Sequence, residues 1–257
     1  MVPTVATVNA TTSTQTPACI VVNAEPLRLA PDALLRLQSW LSPAFPTGSY
    51  SYSHGLERAV ELGYVNDLAS LLEWLKADLR YGSVRNEALF FREAWNSASS
   101  CEPAKLLEVA ELAAAYRGTA EFALESSQQA AASLTVLRRV WPDPFLEWLA
   151  ETLSEREIPP ALAVVLGARS AREGIPLKFG LPAFLQGYLA NLVTAAVRLI
   201  PLGQTAGQLA VAELESEVLE ASARTEDETL ADLGSAAFVL DMVSMAHETQ
   251  YTRLFRS

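Results

Sequence analysis

The chain has 257 residues, half of them hydrophobic, and only two cysteines, Cys19 and Cys101. That composition excludes a disordered protein and a disulfide-stapled one. The formal net charge of −11 argues against a nucleic-acid partner, because phosphates are met by a basic surface.

Residues 1–26 are rich in Thr, Ala, Val and Pro and nearly free of charge. They show no amphipathic period, so a flexible, disordered tail is expected there, followed by one helical domain over 27–257. The tail lacks the basic start and compact apolar run of a secretion signal, which predicts a cytoplasmic protein. Leu34, Leu37 and Leu41 then open a helical stripe. WLSPAFPTGSYSYSHGLE (40–57) interrupts it with Pro43, Pro46 and Gly48, a stiff and then sharply turned loop. Tyr52, Leu56 and Val60 make an apolar stripe on the helix that follows.

Leu68, Leu71, Leu72, Leu75 and Leu79 form the next stripe, capped by Asn66 or Asp67 and ended by Gly82. Val84, Ala88, Phe91 and Trp95 form another. Residues 104–141 read as two helices hinged near Gly118. Pro144 and Pro160 sit where a first helical turn tolerates proline, starting helices to about Ser154 and Gly174. Pro182 is expected to open a long helix to Ile200, stopped by Pro201. Its apolar surface is broken by Gln186, Asn191 and Arg198, so it reads as a core or interface helix and not as a membrane span. Thr205 and Gln208 have capping-box spacing. The acidic run 213–228 reads as a solvated face. With no strand-like alternation, the expected fold is an all-α, single-domain bundle of about ten helices.

Three chemistries are conceivable for these residues. A helical hydrolase would use Ser53, His54 and Glu57. On a helix, however, His54 is turned about 100° from Ser53, and no GxSxG elbow is present. Nickel storage needs clustered soft or imidazole ligands, whereas His54 and His247 are the only histidines, each beside one acidic residue, Glu57 and Glu248. No phosphate-binding GxxxxGK[ST] loop occurs. These readings leave a non-enzymatic recognition protein, with neither cofactor nor metal site expected. Phe45 lies in a proline loop beside two tyrosines, and HETQYTRLFRS (247–257) alternates aromatic, apolar and arginine side chains. Those residue types dominate protein interfaces.

Three stretches, LSPAFPTGSYSYSHGLE (41–57), NLVTAAVRLIPLGQTAGQ (191–208) and HETQYTRLFRS (247–257), together resemble the urease accessory protein UreF family. Weaker similarity runs through TAEFALESSQQ (119–129). The chain departs from the family pattern at Gln129 and Ala130, at Ala206, and at position 54, which is His where many relatives carry Gln. The resemblance implies an all-α chaperone of urease maturation that functions in nickel insertion and nickel cation binding without being an enzyme. It implies a homodimer that bridges UreD (UreH) and the nickel-carrying GTPase UreG on apo-urease, with no nucleic acid or membrane partner. The partner-binding residues it suggests are Phe45, Tyr52, Ser53, His54, Glu57, Arg198, Gly203, Gln204, Gln208, His247, Glu248, Tyr251, Arg253, Leu254, Phe255 and Arg256. The C-terminal segment 247–257 would order against UreD, and Gly203–Gln208 would face the GTPase. Leu185, Leu189, Leu192 and Leu199 would supply dimer contacts.

Overall fold

The computed structural model describes residues 28–257; the expected tail at 1–26 lies outside them. Among the described residues the chain forms twelve α-helices and two short 3-10 turns, with no strand. The all-α expectation holds.

α1 (Pro31–Trp40) buries Ala33, Leu37 and Trp40, while Leu34 turns outward. The proline loop follows, with a 3-10 turn at Ser49–Ser51, and leads to the short α2 (Leu56–Glu61). α3 (Leu68–Tyr81) begins on a reciprocal cap: Asp67 accepts the Ser70 N–H at 2.8 Å, and Ser70 Oγ accepts the Asp67 N–H at 3.1 Å. Such a cap satisfies two donors that a helix start leaves orphaned.

α4 (Ser83–Ser99) is the central helix, buried on nearly every side. α8 (Leu162–Arg172) crosses it so closely that a Cβ on Gly167 would meet the Phe91 carbonyl oxygen at 2.4 Å. Phe90 and Phe91 are fully buried there, and Trp95 Nε1 donates to the Ile175 carbonyl at 2.8 Å. α5 (Pro103–Ala115), α6 (Ala120–Val140) and α7 (Pro144–Glu155) come between them in the chain. The break near Gly118 is where the hinge is expected, and Thr119 caps α6 by accepting the Phe122 N–H at 3.2 Å. α9 (Leu177–Leu199), α10 (Gln204–Glu213), α11 (Glu215–Arg224) and α12 (Phe238–His247) complete the bundle, with the second 3-10 turn at Leu230–Asp232.

Several local expectations are corrected. α8 starts at Leu162, two residues after Pro160. α9 starts after Pro176, whose φ of −59° suits a helix entry, so Pro182 lies inside it. There Pro182 lacks the N–H that would bond the Lys178 carbonyl, one missing rung that packing tolerates. α10 starts at Gln204 after Gly203, which puts Thr205 inside the helix and leaves no capping box. α10 seats against α9 at Gly207, where a Cβ would meet Val197 Cγ2 at 2.9 Å.

The dimer assignment changes too. Leu185, Leu189 and Leu192 lie in the chain's own core, and Leu199 is half-buried against it. A long apolar helix saturated by its own bundle has no spare stripe there for a second copy. α9 turns its remaining face, Gly187, Ala190, Asn191, Thr194 and Val197, toward a groove of about 350 Å³ shared with Gln204 and Gln208 of α10.

Candidate functional site

Gly48 at φ 74° and Gly55 at φ 76° let the loop reverse around 49–54. His54 shares the left-handed region at φ 58°, a conformation that costs a non-glycine residue about 1–2 kcal/mol. The surroundings hold it there. Its ring stacks on Phe122 at 3.8 Å between centroids and nearly parallel. Nε2 lies 2.7 Å from Ser83 Oγ; Nδ1 lies 2.7 Å from the Tyr188 hydroxyl and 3.4 Å from Glu125 Oε2. Asp78 Oδ2 is 3.7 Å away, and Ser83 Oγ donates onward to Asp78 Oδ1 at 3.2 Å. Ser53 and His54 therefore precede α2 and are not on it, and the helical geometry expected for them is replaced by a loop.

This arrangement suits a charged imidazole. Both ring nitrogens then donate, and Ser83 relays the second bond to Asp78. Burial opposes the charge, but the hydrogen bond to Glu125 and the fields of Glu125, Asp78 and Glu87 outweigh it, so the His54 pKa is raised. Burial also raises the Asp78 carboxyl, against the pull of His54, and holds Tyr188 well above the ordinary phenol value. A general base must lie within hydrogen-bond reach of the hydroxyl it deprotonates, and Ser53 and Glu57 are not partners of His54, whose ring nitrogens face Ser83, Tyr188 and Glu125. The Ser53/His54/Glu57 hydrolase finds no geometric support.

The stability that His54 contributes is complete below about pH 6.5, the ordinary imidazole value, and is lost as pH rises through the raised value in the fold. Thermal melts over about pH 5.5 to pH 9 are expected to show the parent chain losing Tm across that window relative to His54→Gln. A difference between the two that stays constant with pH would mean that His54 is neutral in the fold.

A second polar cluster surrounds His247, which is fully buried. Its Nδ1 lies 2.8 Å from Glu121 Oε2 and its Nε2 3.3 Å from Glu57 Oε2. Glu57 thus belongs to His247 and not to His54. Glu248, expected beside His247, instead accepts the Ala120 N–H at 3.1 Å. The described residues hold no group of three or more His, Cys, Asp or Glu placed to bind a metal ion.

The C-terminal segment folds back onto this region. Phe255 is buried under the Arg198 guanidinium, which stacks 4.4 Å from its ring and donates to the Tyr50 carbonyl at 3.0 Å. The Arg256 N–H donates to the Ser51 carbonyl, and the Ser53 N–H to the Ser257 carbonyl, each at 2.7 Å. The Ser53 hydroxyl also bonds the Ser257 carbonyl, and it accepts the Glu57 N–H at 3.3 Å. The Tyr52 hydroxyl donates to Gln128.

The predicted interface residues therefore divide. Phe45, Tyr52, Ser53, His247 and Phe255 are buried inside the chain, and the His54 and Glu57 side chains nearly so. A partner cannot reach them while the segment is docked. Arg198, Gly203, Gln204, Gln208, Glu248, Tyr251, Arg253, Leu254 and Arg256 remain accessible. Sequence reasoning missed the outer face of α12, where Phe238 is 70 %, Met242 60 % and Met245 50 % exposed beside Val239. The spacing of three and four residues was there to be read, but it is the spacing of any buried stripe. Asp78, Glu121, Glu125 and Tyr188 were missed as well; Glu121 and Glu125 sit one turn apart on an otherwise mostly apolar face.

Known proteins place the chain clearly. The family model described as UreF matches residues 65–215. A urease accessory protein UreF of Rhodopseudomonas palustris is 43 % identical over 225 residues, covering 88 % of this chain and 91 % of that protein. The urease accessory protein UreF of Granulibacter bethesdensis is 44 % identical, covering 88 % and 94 %, and that of Mesorhizobium japonicum is 45 % identical, covering 88 % and 96 %.

Proposed function

The chain belongs to the UreF family of urease accessory proteins, and we propose that it serves urease maturation as a cytoplasmic scaffold with no chemistry of its own. In this reading it bridges UreD (UreH) and the GTPase UreG on apo-urease while nickel is inserted. One helical domain supplies the scaffold, and the C-terminal region carries the UreD contact.

The observation that supports this reading most is the unpartnered apolar face of α12. Phe238, Val239, Met242 and Met245 stand exposed on a ten-residue helix, and Tyr251 and Leu254 of the segment that follows are exposed as well. Exposed apolar surface of this kind marks an interaction site, and methionines adapt to a partner's shape. The buried carboxylates and histidines, by contrast, are satisfied within the chain. The exposed start of α10, Gly203, Gln204 and Gln208, is the proposed GTPase-facing surface, and the groove along α9 the proposed homodimer contact.

Co-expression with UreD and UreG from the same genome tests the reading. The parent chain is expected to co-purify with both. Phe238→Asp and Met242→Asp are expected to stay within about 0.5 kcal/mol of parental stability, as exposed substitutions usually do. UreD capture should fall by roughly tenfold or more, because each exposed apolar anchor contributes about 1.5–3 kcal/mol when buried by a partner. Undiminished capture by the doubly substituted chain would remove α12 from the interface.

A further inference from the structure

A cavity of about 350 Å³ lies between α4 and α6, with His54 and Tyr188 in its wall. Its exposed rim comes from two loops, at Tyr116 and Gly118 and at Ser235. The loops are tied down: the Tyr116 hydroxyl donates to the Leu233 carbonyl at 3.0 Å, and the Gly234 N–H donates to Asn86 Oδ1 at 3.1 Å. The cavity is therefore formed before anything enters it, and its size is that of a small-molecule site.

Its lining is not fully bonded. Glu87 is buried; Oε1 pairs with Arg117, and Oε2 has no partner among the described residues. Gln129 is buried too, and its Nε2 donates to Glu125 at 3.1 Å while Oε1 stays free. Asp241 Oδ2 accepts the Ser235 hydroxyl at 2.7 Å, leaving Oδ1. Asn86 keeps one free donor, Nδ2. Acceptors thus outnumber donors on this wall. Charge leans the same way. Glu87, Glu125 and Asp241 line the cavity with Arg117 and His54, and Asp78 stands 3.7 Å from the His54 ring. Negative charge is in excess whether or not Asp78 is ionised.

We propose that this cavity binds a small organic cation rich in N–H donors, of the alkylguanidinium or alkylammonium class. Buried carboxylate and amide oxygens without donors are costly, and such a head group supplies the missing N–H groups together with the missing positive charge. Charge-assisted bonds of this kind are the strong ones, and enclosure strengthens them further. Phe122 and Leu162 give the alkyl part apolar wall. Because the described residues hold no group placed to ligate a metal ion, a cation that brings its own hydrogen-bond donors suits the site better than a bare one. The inference stands on the cavity alone and not on the scaffold reading above.

The test uses the isolated full chain and agmatine, which carries a guanidinium and an ammonium on one alkyl chain. Calorimetry is expected to find one site per chain, retained in roughly 0.5 M NaCl because an enclosed pair is screened little. The two histidines give two imidazole signals in proton NMR, assigned with His54→Gln. Agmatine should move the His54 signal, which belongs to the cavity wall, more than that of His247, which lies outside it. Glu87→Gln is expected to weaken binding about tenfold and Asp241→Asn, nearer the rim, about threefold. If Glu87→Gln does not fold, Asp241→Asn and the His54 signal still decide the matter. Neutral acetamide should bind at least about tenfold more weakly than agmatine; equal affinity would overturn the cationic class. Binding that vanishes in salt, or that leaves His54 unmoved, would reduce it to attraction by the acidic surface. No measurable heat would mean that water alone fills the cavity.

Discussion

Gly167→Ala is expected to destabilise the chain by about 3 kcal/mol, the upper end of what overpacking costs. The added methyl would lie 2.4 Å from the Phe91 carbonyl oxygen and 3.1 Å from its Cα. Both are backbone atoms of the central helix, so no side chain can swing aside. α4 and α8 must separate, and Phe90, Phe91, Val164 and Leu166 would lose close contact around the crossing. For a chain of this size the loss corresponds to a fall in Tm of roughly 6–12 °C. Gly174→Ala is a useful contrast, since a Cβ there meets nothing within 4 Å and only the φ of 69° opposes it. Equal melting temperatures for the parent and Gly167→Ala chains would mean that the crossing is not close-packed.

Phe255→Ala is expected to lower stability by about 1.5–3 kcal/mol, the value of one large buried side chain. A Phe→Ala change in a closed core costs about 3–5 kcal/mol, but Phe255 sits on a short terminal segment, where fraying limits the loss. Deleting Arg253–Ser257 should act similarly, with the Tm falling by several degrees. Read from sequence, a terminal segment makes few contacts, and its removal would leave the fold untouched. Burial of Phe255 and Ser257, together with the bonds of Phe255 N–H to Glu57, Arg256 N–H to Ser51 and Ser53 N–H to Ser257, reverses that expectation. Differential scanning calorimetry of the parent, substituted and truncated chains gives the answer, and an unchanged Tm in both variants would return the segment to the status of a free arm.

The helices were legible because their signals are local. The leucine stripe at 68–79 lies on the same side chains that α3 buries, with Asp67 capping it as one of two candidates. The proline at 144 starts α7 where a proline is tolerated. The starts of α9 and α10 were less legible. Pro182 and Thr205 carry acceptable local signals, and the packing of α9 and of Gly207 places the helices elsewhere.

Motif order across the chain was also enough to suggest the family, because three separated segments seldom recur together by accident. By itself, then, the sequence determined the fold class, most helix positions and the kinship, all of which follow from short-range periodicity or from linear order. Only the tertiary structure decided which polar residues meet. Glu57 lies 190 residues from His247 and Glu125 lies 132 from Ser257, separations at which no spacing rule operates. It also decided which apolar stripe stays outside: the leucines of α9 and the phenylalanine and methionines of α12 share one periodicity, and only the presence or absence of a packed neighbour makes one a core and the other a surface.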